Sequence, residues 1–177
     1  MSENSLGEYI TKNNIAGIDI FAKTGIPTSD ISAYKNGRTR PIPAERIYLL
    51  SLIAKESLKD FLLLIFPKIK LQNTKKPDTK TSSLLTTSFG RLINSLEDYT
   101  INTISHKTGI TVKRLKDLSS KTTSIIGGHE LLLIELATNV EPGTHFTELF
   151  GHLELNSPEV QERLREEEKE RSRRKKK

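Results

Sequence analysis

Residues 20–40 read IFAKTGIPTSDISAYKNGRTR, and residues 104–124 read ISHKTGITVKRLKDLSSKTTS. Lys23-Thr24-Gly25-Ile26 recurs as Lys107-Thr108-Gly109-Ile110, an offset of 84 residues. The match continues without a gap: Ile20 with Ile104, Ile31 with Leu115, Tyr34 with Leu118, Ile42 with Ile126, Ile47 with Leu131, Leu50 with Ile134, Ile65 with Leu149 and Phe66 with Phe150. Four matching letters arise by chance. A ladder of apolar positions held in register over about 50 residues points to a duplicated folding unit. In each copy a Gly separates two short segments with helical apolar spacing, as a tight turn needing positive φ requires.

Working outward, the apolar spacing predicts five helices in the first copy, over about 6–13, 17–24, 27–36, 44–56 and 58–66. Gly37 stops the third, Ser57 caps the fifth and Pro67 closes it. The second copy repeats the order near 90–96, 101–107, 112–119, 129–138 and 144–153. The fold class expected is all-α: a helical domain over 1–70, a second, divergent one over 90–155, and a charged tail over 156–177. The stretch 71–89, rich in Thr, Ser and Lys, reads as a flexible linker. Fully extended, it reaches at most about 60 Å, more than the ~34 Å between successive major-groove faces of one duplex. The tail opens with Ser157 as cap and Pro158 at the first helical position. Glu159 with Arg163, Glu167 with Arg171 and Glu170 with Arg174 fall at i,i+4, so a solvated, fraying helix or a disordered end is expected.

The chain of 177 residues has a net charge of +6 and no Cys, which excludes disulfides and thiolate zinc sites. No apolar run is long enough for a membrane span. The N-terminal MSENSLGEYI lacks the basic-then-apolar order of a signal peptide, so a cytoplasmic, membrane-free protein is expected. Ten Lys and Arg stand against seven Asp and Glu over 1–70, but six against seven over 90–153. The first copy is thus the more basic, as a nucleic-acid partner favours.

The first copy resembles the Cro/C1-type helix-turn-helix family, also called the XRE family. The resemblance covers about 6–66 and rests on Gly25 at the turn, Ile26 after it, Ile31 inside the second helix of the motif, and Asn36-Gly37 at its stop. It implies lambda repressor-like units in tandem, with double-stranded DNA as partner and no cofactor. Thr28, Ser29, Ser32 and Ala33 then fall on the base-reading face. Lys35, Asn36, Arg38, Thr39 and Arg40 fall where the chain passes the phosphate backbone. The chain departs from the family at Gly17, where many members carry Gln. The recognition helix also lacks Arg, Gln and Asn in its first two turns, so bidentate base reading is not evident.

In the second copy, Lys113, Arg114, Lys116 and Lys121 mark a second candidate DNA site. Lys121 stands where Gly37 did, and acidic residues crowd the rest of the unit, so a role as a homodimer or protein-partner surface competes with DNA binding there. His145, Glu148 and His152 share a helical face, but two His seven apart do not converge on one ion, and no metal site is expected. No nucleophile elbow, phosphate loop or paired-carboxylate motif occurs, so no enzyme is expected. The leading expectation is a sequence-specific transcriptional regulator of prokaryotic or phage type, acting as a repressor. The competing one is a protein-interaction module, such as an antitoxin that binds its partner through one helical unit. The basic cluster RSRRKKK over 171–177 is either a solubilising end or an arm that tracks phosphates.

Overall fold

A computed structural model describes residues 5–38, 41–73, 87–96 and 98–174. Most of the linker, 74–86, and the candidate residues Thr39 and Arg40 lie outside these. The described residues are all-helical: α1 (Ser5–Lys12), α2 (Gly17–Thr24), α3 (Thr28–Lys35), α4 (Ala44–Ser51), α5 (Leu58–Ile65), α6 (Ser88–Ser95), α7 (Ile101–Thr108), α8 (Val112–Ser120), α9 (Gly128–Ala137), α10 (Thr144–Phe150) and α11 (Pro158–Arg174). They form no strand.

The chain divides into two compact units. The first takes in Met1–Ile42, Arg46–Pro67 and Leu153–Lys177, so α11 belongs with α1–α5. The second takes in Pro43–Glu45 and Lys68–His152. Within it, an isolated antiparallel bridge joins Pro43 to Gly127, and the Ala44 N–H donates to Ile126 O at 2.8 Å.

In the first unit, Leu6, Tyr9 and Ile10 of α1 meet Ile20, Ile31, Ile47, Leu50, Phe61 and Leu62 in a buried core. The Tyr9 and Phe61 rings pack edge to face, centroids 5.2 Å apart. α4 stops at Ser51, five residues before the end that apolar spacing predicts. The Ser51 hydroxyl turns back to donate to Tyr48 O at 2.7 Å, and the Ile53 and Ala54 N–H groups close a tight turn on Leu50 O. Ser57 caps α5, its hydroxyl accepting the Asp60 N–H at 3.2 Å.

In the second unit the buried set is Phe89, Leu92, Ile93, Ile101, Ile104, Leu115, Leu118, Leu131, Leu132, Ile134 and Phe146. Five rungs of the sequence ladder are buried in both units: Ile20 and Ile104, Ile31 and Leu115, Tyr34 and Leu118, Ile47 and Leu131, Leu50 and Ile134. Toward the end of the ladder Ile65 is buried while Leu149 is half-buried. α6 lies so close to α8 that a Cβ on Gly90 would come within 2.5 Å of Ser119 O.

The α2–α3 and α7–α8 joints are alike. Gly25 has φ 73° and Gly109 φ 76°, both in the left-handed region. Each glycine N–H closes on the preceding helix at 2.8 Å, to Phe21 O and to Ser105 O. Thr24 and Thr108 each donate to the carbonyl four residues back at 2.7 Å and accept the N–H of Ile26 or Ile110, at 3.2 and 3.1 Å. A β-branched residue is strained at such a φ. Gly25→Val, where open space surrounds the missing Cβ, is expected to destabilise the first unit by about 1–3 kcal/mol through backbone strain alone. Gly25→Asn should cost far less. Urea denaturation of the two variants checks the difference, and equal midpoints would remove the case for strain at this turn.

Candidate nucleic-acid interface

The joint decides which face of the next helix looks outward. Ile26 and Ile31 anchor α3 from beneath, leaving Ser29 and Ser32 exposed and Ala33 half-buried. Asn36 is exposed, and its side-chain amide donates to Ser32 O at 2.9 Å and toward Ser32 Oγ at 3.3 Å. At the end of α3 the Gly37 N–H donates to Tyr34 O and the Arg38 N–H to Ala33 O, with Gly37 at φ 62°. This paired closure is the Schellman stop. It leaves Lys35 and Arg38 exposed at the helix end. Thr28 is differently placed: it is half-buried, and its hydroxyl donates to Glu168 Oε1 of α11 at 2.9 Å.

In the second unit, Thr111 caps α8 by accepting the Arg114 N–H at 3.2 Å. Lys113 and Lys116 are exposed on its outer face. Lys121 is exposed as well but sits 2.6 Å from Asp117. With no left-handed stop, α8 runs nine residues against eight in α3. Arg114 faces its own unit: Nε and Nη2 bind the two oxygens of Glu130, both at 2.9 Å, and Nη2 also reaches Ile125 O at 2.8 Å. The four basic residues singled out in this copy are therefore not one cluster. Two point outward, one is paired at the surface, and one holds α8 to the start of α9.

The Arg114–Glu130 pair has a counterpart in the first unit. Arg46 Nη1 binds Asp30 Oδ2 at 2.6 Å and the Tyr34 hydroxyl at 2.6 Å. Asp30 and Arg114 are equivalent under the 84-residue offset, and so are Arg46 and Glu130. The same bridge ties the second helix of the motif to the following helix in both units, with the charges exchanged. Burial raises the Glu130 carboxyl's pKa, but the hydrogen bonds from Arg114 and the Gly127 N–H outweigh it and hold the group below the usual range. Arg114, expected from the sequence in a possible second DNA site, is paired with Glu130 in the structure. The signal was available in the complementary letters at 30/46 and 114/130.

A second departure between the copies lies deeper. Where the first unit buries Ser51 and Phe61, the second buries Glu135 and His145. Glu135 Oε1 accepts the His145 N–H at 2.7 Å and Oε2 the Gly143 N–H at 2.8 Å, so it caps α10 from the core. Burial pushes its carboxyl up to about 7 despite those donors. Burial likewise lowers the pKa of His145. Both ring nitrogens of His145 lie buried without a hydrogen-bond partner, and the nearest carboxylate, Glu148, stands 3.5 Å from Nδ1. His152 is exposed. Among the described residues no group of three or more His, Cys, Asp or Glu is placed to hold a metal ion.

No family model matches the chain, and neither a curated protein nor a solved structure matches it. Among the described residues no helix is long and apolar enough to cross a membrane.

Two outcomes follow. Asp30→Arg alone sets two cations against each other, and Asp30→Arg with Arg46→Glu reproduces the polarity of the second unit. The double variant should recover about 0.5–1 kcal/mol of the loss, a modest figure because both side chains are partly exposed. A double variant no more stable than the single one in urea would show the bridge to be inert.

Glu135 and His145 each tie the stability of the second unit to pH. Glu135 has its folded pKa raised to about 7. Its contribution is present at low pH and is lost as pH rises through about 7, by up to about 3 kcal/mol. His145, with its folded pKa lowered, contributes above its unfolded pKa, and that contribution is lost as pH falls. The two oppose each other in mildly acidic solution. His145→Phe, which copies Phe61, should leave the Glu135 trend alone, so that the second unit weakens steadily from pH ~4.5 to ~7. Hydrogen exchange in α9 and α10 across urea series at several pH values reads this out. A flat profile in that variant would contradict it.

Proposed function

We propose that this chain binds double-stranded DNA as a regulator of transcription, using helix-turn-helix units of the Cro/C1 type. The observation that carries the reading is the repeated joint. Twice, a left-handed glycine delivers a short helix whose inner face is anchored by Ile or Leu and whose outer face is polar. Such a helix has the dimensions and surface chemistry that a major groove admits.

On α8, Lys113 and Lys116 neutralise phosphates and supply the salt-sensitive part of affinity. At the end of α3, Lys35 and Arg38 do the same, with Thr39 and Arg40 following in the sequence. Ser29, Ser32 and Ala33, with Thr28 when its hydroxyl is released, meet base edges and thymine methyl groups through short side chains, so sequence preference is modest. Repression by occupying a promoter in the cytoplasm is the corresponding mode of action. No cofactor or catalytic step enters.

Net charge alone ranks the first unit as the stronger reader. Side-chain engagement takes groups from both units: Thr28 is bonded to Glu168 in the first, and Arg114 and Lys121 are paired in the second, while Arg38, Lys113 and Lys116 are exposed.

The test is fluorescence anisotropy of a random-sequence duplex over a salt series with the full chain. Binding should weaken steeply with salt. Lys113→Ala with Lys116→Ala should lower the log–log slope by up to about 2, against about 1 for Arg38→Ala. Ser29→Ala with Ser32→Ala should leave the slope nearly unchanged and relax sequence choice. No binding at low salt would reject the reading in favour of a protein-interaction module.

A further inference from the structure

α11 has no buried residue, yet a series of polar contacts holds it along the α2–α3 motif of the first unit. At its entry, Asn156 donates its backbone N–H to Lys23 O and its side-chain amide to Ala22 O, both at 2.8 Å. These carbonyls lie at the end of α2, where helix acceptors lack partners of their own. Gln161 Nε2 donates to Asn156 O at 2.6 Å and fixes that entry. Further along, Arg165 Nε binds Asp19 Oδ1 at 2.9 Å. Glu168 then accepts the Thr28 hydroxyl.

Thr28 is the first residue of α3. The start of a helix carries unpaired N–H groups and a partial positive charge, which favour an anion. Glu168 belongs to the run Glu166-Glu167-Glu168, so the part of α11 that reaches α3 is its most acidic part. A carboxylate at this point occupies the position that the proposed DNA reading requires for a phosphate or a base edge.

We propose that α11 is a built-in competitor of DNA: docked, its Glu168 engages Thr28 at the start of α3 while Ser29 and Ser32 stay exposed, and displaced, it leaves the start of α3 open to a duplex. The inference rests on the DNA-binding reading and adds a regulation to it. The docked state is suited to release. Beside its polar contacts only Val160 and Leu164 are half-buried, the Arg165–Asp19 pair is partly solvated, and exposed pairs of this kind add little net stability. A cleft of about 380 Å3, bordered by Asn13, Asn14, Asp19, Lys23, Lys55 and Arg165, opens beside that pair. A polyanion both competes with Glu168 and attracts Arg171, Arg173 and Arg174 at the far end of the same helix. The helix that blocks the free protein thus gains phosphate contacts once it swings away.

The experiment compares the full chain with Arg165→Ala, Glu168→Gln and the control Glu166→Gln, an exposed position three residues from Arg163 in the same acidic run. Duplex affinity and hydrogen exchange over α2 and α3 are both measured. Arg165→Ala removes a cation, so electrostatics alone makes it bind DNA more weakly, whereas release of α11 makes it bind more tightly. The expected result is affinity raised about threefold or more in Arg165→Ala. Glu168→Gln should exceed the equally charged Glu166→Gln, and exchange over α3 should be faster in Arg165→Ala and in Glu168→Gln. If the wild-type chain binds DNA but Arg165→Ala is equal or weaker and the two Glu variants coincide, the competitor is overturned and the DNA-binding reading stands. If neither the wild type nor any variant binds a duplex, the reading falls and the competitor falls with it.

Discussion

The left-handed glycine between two short helices is the constraint on which each unit depends. A helix of eight residues has too few internal hydrogen bonds to be stable by itself. It persists because Ile26 and Ile31, or Leu115 and Leu118, are driven into a core already lined by the preceding helix. That insertion requires the chain to reverse direction within a few residues. Gly25 and Gly109 adopt the necessary φ without steric cost, and the flanking Thr hydroxyls accept the Ile26 and Ile110 N–H groups just beyond the reversal. Once the turn is set, the outward face of α3 or α8 is set with it.

On similar joints the two units differ in charge. The bridge between the second helix of the motif and the following helix is kept in both, but Asp30 and Arg46 are answered by Arg114 and Glu130. Reversal preserves the attraction within a unit while changing what each helix shows outside. The second unit has also replaced a buried Ser and Phe with Glu135 and His145. An ionisable group in a core costs free energy unless it is hydrogen-bonded or neutral. Glu135 meets the cost with two backbone donors at the start of α10, and burial moves both groups toward their neutral forms. The stability of this unit is thereby tied to pH in a way that the first unit's Ser and Phe at those positions do not permit.

α11 joins the first unit although it contributes nothing to the core. Its role is electrostatic and local: Asn156 on the carbonyls of α2, Arg165 on Asp19, Glu168 on Thr28. Exposed ion pairs of this sort specify a position while adding little stability.

By itself the sequence determined the helical class, the helix–turn–helix joints and most of the buried ladder, because these follow from local rules: apolar spacing, Gly at positive φ, Ser or Thr at helix starts. It also carried the outward placement of Ser29, Ser32, Lys113 and Lys116, since a helix anchored on one face shows its other face to solvent. Only the tertiary structure decided that Arg114 is spent on Glu130, that α4 ends at Ser51, and that α11 lies on the first unit with Glu168 at Thr28. The physical reason is distance along the chain. Thr28 and Glu168 are 140 residues apart, and a charged helix with only Val160 and Leu164 as apolar residues on its half-buried face does not specify locally which surface it will meet.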